Sequence, residues 1–258
     1  MFMKTINFAT IYVLWLREMK KFVRSKSRIV GSLVTPLLFL TFFSFGFGSL
    51  SIPGAPPGVN YIQFLIPGII GMGLLFSSTF AGLTVLLDRQ FGFLKEIMVA
   101  PVSRVSIVLG RTAGAITTGL IQAFLILAIS LVFQLRIAGV LNLLLAIVFM
   151  ILTATAFIGI GLIFASKMKD PQGFNLIVNF LIFPLFFLSG ALFPLQNLPG
   201  AVQYISYADP LTYGVDGMRA ALIGVSFLPI WIDFAVLLVV SGLMIFLGAY
   251  FFEKSESV

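Results

Sequence analysis

The sequence predicts an all-α integral membrane protein with six transmembrane helices, and three observations lead there. From Ile29 to Leu87 the chain runs 59 residues without one Asp, Glu, Lys or Arg, whereas one helix needs only roughly 20 apolar residues to cross the hydrocarbon core. The chain is 60% hydrophobic and 10% charged, with a mean hydropathy of +1.13; soluble domains carry about 25% charged residues. Its Lys and Arg are also lopsided, with 14 on one side of the predicted spans and two, Arg136 and Arg219, on the other.

Residues 5–28 come first and read as an amphipathic helix. Tyr12, Trp15, Leu16, Met19, Phe22 and Val23 follow helical spacing on one face, and Arg17, Lys20, Lys21, Arg24 and Arg28 on another. Such a helix rests at the membrane interface with its apolar face in lipid and its basic face toward headgroups. Trp15, Arg17, Lys20, Lys21 and Arg24 are its candidate interfacial residues; the plainer alternative is a polybasic retention signal. The segment does not read as a cleavable signal peptide, because its apolar stretch is short and a basic cluster follows it.

The Pro- and Gly-dense turn at 51–58 splits the long uncharged run into span 1, about 30–50, and span 2, about 61–87. The run Thr112–Leu135 gives span 3, starting near Val105, and Ile137–Ser166 gives span 4. Pro171–Ala208 is uncharged for 38 residues, too long for one span and too short for two with a loop. It reads as span 5, about 172–193, followed by a short helix at the outer surface. Phe234–Phe252 gives span 6. Six spans put both termini on one side, and the positive-inside rule makes that side cytoplasmic, in the cytoplasmic (inner) membrane. Gly110 and Gly114 on span 3 have the spacing of close helix packing.

Several functions are excluded by what is missing. There is no Cys and no His, so thiolate chemistry, the commonest general base and the commonest metal ligand are gone. No Gly-Lys pair occurs, hence no Walker phosphate loop; ATP, if used, is bound by another chain. The net charge of +7 is a topological signal, and no basic face suits nucleic acid. No internal repeat is evident, which argues against paired inverted halves.

The segment 88–104 is both charged and amphipathic. Phe93, Leu94, Ile97 and Met98 share a helical stripe, Pro101 ends it and Gly92 permits a sharp turn. A short helix with exposed apolar residues suits a groove on another protein; folding back onto headgroups is the alternative. The run Asp88-Arg89, Gly92, Lys95-Glu96 and Pro101-Val102-Ser103-Arg104 resembles the cytoplasmic coupling segment of ABC-2 type transporter permeases. A second match is Phe187-Leu188-Ser189-Gly190-Ala191-Leu192-Phe193-Pro194, then Leu198-Pro199, Asp209-Pro210-Leu211-Thr212-Tyr213, Met218-Arg219 and Ile223-Gly224. It is similar to that family's C-terminal signature, especially in the drug- and polysaccharide-exporting permeases.

The resemblance implies one transmembrane domain over 1–258, with outer re-entrant helices at 194–228. It implies a dimer of permeases, with two copies of a separate ATPase subunit that bind ATP and Mg, so that this chain holds no cofactor and no metal and has no catalytic site of its own. Arg89, Gly92, Phe93, Leu94, Lys95, Glu96, Ile97, Pro101 and Arg104 would couple to the ATPase. Pro194, Pro210, Tyr213, Asp216 and Arg219 would form an outer gate; from spacing alone Asp216 and Arg219 read as a local ion pair, worth little if exposed.

The family lines its path mainly with spans 1, 2 and 5. Here those spans offer Phe39, Phe42 and Phe43, then Asn175, Asn179 and Phe183. An aromatic path with few amides and no charge suits an amphiphilic substrate: a drug, a lipid or a glycan. Two rivals stand beside this exporter reading. A stand-alone secondary transporter usually needs a protonatable residue at mid-membrane, and the nearest, Asp233, lies near the start of span 6. The other rival is a membrane scaffold without transport.

Overall fold

The computed structural model describes residues 7–48, 59–92, 103–132, 135, 139–197 and 199–255. Among the described residues there are nine α-helices, one short 3-10 turn at Leu195–Asn197, and no strand. Helix α1 (Phe8–Arg24) precedes the first membrane-length helix. Six helices are long and apolar enough to cross a membrane: α2 (Lys26–Phe47), α3 (Tyr61–Gln90), α4 (Arg104–Val132), α5 (Val140–Lys167), α6 (Pro171–Leu188) and α9 (Ile230–Ser255). The short α7 (Gly200–Ser206) and α8 (Pro210–Ile223) lie between α6 and α9.

Local chemistry sets the starts. Asn7 accepts from the N–H groups of Ala9 and Thr10, and Asn60 forms a reciprocal capping box with Gln63. Asp170 and Asp209 cap α6 and α8, each with Pro next in line. Two boundaries differ from expectation. Span 5 ends at Leu188, five residues short of 193, because the Ser189 N–H closes on Leu185 and Gly190, at φ +73°, turns the chain aside. Span 6 begins at Ile230, four residues before Phe234, and carries Asp233 into its first turn, fully buried.

Helices α3 and α5 occupy the middle. α5 packs on α3, α8 and α9, while α3 also touches α2, α4 and α6. Their shared core is aromatic and aliphatic, with Phe64, Phe149, Phe157, Phe174 and Phe186 wholly buried. α8 is unlike a surface helix: it packs among α3, α5 and α9 with most of its residues buried. By contrast few residues of α2, α6 and α9 are buried, as in helices facing lipid or a second chain.

Chain reversal gathers α1, the ends of α3, α5 and α9, and the starts of α4 and α6 at one end of the bundle. This basic end carries Arg17, Lys20, Lys21, Arg24, Arg89, Arg111, Lys167, Lys169 and Lys254.

Candidate coupling and translocation site

At the basic end, α1 is packed on the protein, not simply laid on it. Gly110 and Gly114 open a groove on α4: a Cβ at Gly110 would stand 3.0 Å from the Ile11 carbonyl oxygen, and one at Gly114 2.8 Å from Glu18 Cβ. The close-packing glycines therefore receive α1, not another span. Leu14 and Phe22 are buried there, and Trp15 Nε1 donates to Thr117 Oγ1 at 3.0 Å. The expected division into a lipid face and a headgroup face is corrected accordingly. Tyr12 and Val23 point outward and Lys20 and Arg24 are exposed, but Trp15, Arg17 and Lys21 turn toward the bundle.

Arg17 and Lys21 turn inward because a carboxylate awaits them. Asp88, in the last turn of α3, accepts two bonds from Arg17, at 2.9 and 3.0 Å, and one from Lys21 at 3.4 Å. Arg111 of α4 brings Nη2 to 2.8 Å from Asp88 Oδ2, though its N–H is out of line for a hydrogen bond. Glu18 stands 3.8 Å from Arg17 and 3.6 Å from Lys21. Three cations and two carboxylates thus join α1, α3 and α4. Arg111 is 5% exposed, so its charge depends on this partner. Sequence reading passed over Asp88, Glu18 and Arg111 as site residues. The usable signal was an acid at the end of a 59-residue uncharged run, beside a helix rich in base.

One residue further, Arg89 donates to the carbonyls of Ser166 and Met168, and Gln90 to that of Lys169. The end of α3 is thereby tied to the α5–α6 turn. Gly92 follows with φ +77°, a conformation side chains resist. Phe93, Leu94, Lys95, Glu96, Ile97 and Pro101 lie outside the described residues, as does the side chain of Arg104.

The path residues divide. Phe39 meets Phe186 of α6 edge-on at 5.8 Å, and Phe43 meets Phe193, just past α6, at 6.3 Å, so α2 shares an aromatic seam with the end of α6 and the turn that follows it. Phe183 contacts Phe76 of α3 at 5.7 Å. Phe42 is 71% exposed and touches the seam only at its edge, T-shaped against Phe43 at 5.8 Å. Asn175 and Asn179 are half-buried and make no hydrogen bond among the described residues.

At the opposite end, Asp216 and Arg219 are deeply buried, not exposed. They stand 3.7 Å apart. Arg219 donates to the Gly190 carbonyl at 2.9 Å and stacks 3.8 Å from the Phe64 ring. Asp216 accepts from the N–H groups of Phe227 and Leu228. Burial works against both charges, raising the Asp216 carboxyl and lowering the Arg219 guanidinium to about 10, which leaves it protonated at neutral pH. Tyr213 donates to the Tyr207 carbonyl, Pro194 is buried and Pro210 half-buried. The five expected outer residues are therefore dispersed around α8, with only Asp216 and Arg219 paired.

The fold is that of a multi-pass helical membrane protein whose first helix is held to the bundle by a charged tie at one end. The family model for the ABC-2 type transporter matches residues 9–223. The chain is 30% identical over 230 residues to the inner membrane transport permease YadH of Escherichia coli (strain K12), covering 88% of each chain. It is 30% identical over 198 residues to Nodulation protein J of Rhizobium meliloti (strain 1021), covering 76% of this chain and 74% of that one. The chain belongs to the ABC-2 type transporter permease family. It is an integral, multi-pass membrane protein, and such a permease is a transport subunit that works with an ATPase and is not one itself.

Proposed function

We propose that this chain is the membrane half of an ATP-driven exporter. Two copies pair to enclose a path for an amphiphile, and two ATPase subunits dock on the basic end, which faces the cytoplasm under the positive-inside rule. The carrying observation is the convergence on Asp88: Arg17, Lys21 and Arg111 meet it one turn before Gly92, where the chain leaves α3 for the 93–102 segment. Movement of that segment is transmitted to α1 and α4 through ionic contacts and packed helices. The aromatic seam between α2 and the end of α6, together with Asn175 and Asn179 on α6, which make no hydrogen bond among the described residues, supports an amphiphilic cargo; Asn179→Leu is expected to change the range of cargo.

The test is reconstitution with the ATPase in proteoliposomes. Gly92→Val strains a positive-φ position, and Glu96→Lys reverses the one acidic charge of the 93–102 segment. Both variants should insert and assemble while losing cargo-stimulated ATP hydrolysis. Normal stimulation in both, or cargo movement by this chain without an ATPase, overturns the proposal.

A further inference from the structure

Between α2, α3 and α4 lies a cavity of about 240 Å³, on the far side of Phe76 and Phe80 from α6. Five polar side chains line it, Ser32, Thr35, Ser77, Thr118 and Gln122, all within membrane-length helices. Polar groups there are costly unless they meet one another or a polar guest. Three of the hydroxyls are committed as donors to their own helices: Ser32 to Ile29, Ser77 to Leu74 and Thr118 to Ala115. Their lone pairs stay available as acceptors. Pro36, also in the wall, lacks the N–H that would close on the Ser32 carbonyl, which adds another acceptor. The Gln122 amide is 5% exposed and makes no hydrogen bond among the described residues.

We infer that this cavity binds the uncharged, hydroxyl-bearing head of an amphiphile. The wall offers acceptors plus two groups, the Gln122 amide and the Thr35 hydroxyl, that both donate and accept, which matches hydroxyl groups. No Lys, Arg, Asp or Glu lines it, so a phosphate or ammonium head would be buried without a counter-charge. Its volume is below the roughly 300–1,000 Å³ of pockets that enclose a whole drug-sized ligand. The cavity takes the head, and the tail lies along the exposed Val30, Val34 and Leu38 face of α2. This deepens the transport reading by naming a class of compound the permease recognises. Binding needs neither ATPase nor turnover, so its failure leaves that reading standing.

The test is photolabelling of the full chain in phosphatidylcholine vesicles by an alkyl glucoside with a diazirine beside the head. An alkyl phosphocholine with the same diazirine serves as control. The glucoside should label peptides of 31–36, 72–80 and 118–122 and be displaced by unlabelled octyl glucoside, while the phosphocholine should not label them. Thr118→Val with Gln122→Leu, close in volume, should lower labelling about tenfold. Equal labelling by both heads, labelling spread over the lipid faces of α6 and α9, or no effect of the double variant overturns the inference. Competition in the unmodified chain keeps the test independent of how the variant folds.

Discussion

Replacing Asp88 with Asn removes one charge and nearly no volume from the ionic tie at the basic end. Its cost follows from the exposure of the three cations. Lys21, with 37% of its side chain exposed, and Arg17, with 24%, keep access to water, so each loses at most about 1 kcal/mol. Arg111 is 5% exposed and is left as a buried, unpaired charge. Breaking such a pair costs about 3–5 kcal/mol. Glu18 still holds Arg17 and Lys21, so the loss is confined to Arg111 and is taken at the low end, about 3 kcal/mol. That corresponds to an opening equilibrium roughly 100-fold more favourable. Amides of α1 and of the last turn of α3 should exchange with deuterium about 100-fold faster in nanodiscs, while those in the middle of α5 stay unchanged. If the cluster acts as a unit, Asp88→Asn and Arg17→Gln together cost less than the sum of the two singles. A correctly inserted Asp88→Asn variant with unaltered exchange in α1 and α3 refutes the reasoning.

Three other outcomes are expected. Gly110→Val drives a side chain against the Ile11 backbone, costing about 1–3 kcal/mol. In a Trp231→Phe background the Trp15 emission should shift to the red as its bond to Thr117 is lost, and an unshifted spectrum counts against α1 docking. Arg219→Met leaves Asp216 without its cation and the Gly190 carbonyl without a donor. It should lower thermal stability by about 3 kcal/mol, and a Tm equal to the parent's contradicts the buried pair. Asp209 is buried, and this pushes its carboxyl up to about 8, although the Leu211 N–H opposes the shift. A carboxyl raised above its unfolded value near 4 contributes stability that is fully present below about pH 4 and lost as pH rises toward 8. The Tm in detergent should fall from pH 5 to 8, less steeply in Asp209→Asn; equal slopes refute that assignment.

The sequence by itself determined the membrane class and the placement of six spans, because a bilayer demands length and apolarity from each helix separately and both are local properties. The lopsided Lys and Arg are legible in the same way. Which surfaces meet is not local. The helical period of α1 is readable along the chain, but that Ile11, Leu14 and Glu18 meet Gly110 and Gly114 depends on α4 lying alongside. Asp88 looked like the first residue of a loop until folding brought Arg17, from 71 positions earlier, and Arg111 to its side. Likewise, the worth of Asp216 and Arg219 hinged on burial. Spacing sets their separation along α8, but only the packing of α8 among α3, α5 and α9 removes the water that would have made the pair weak.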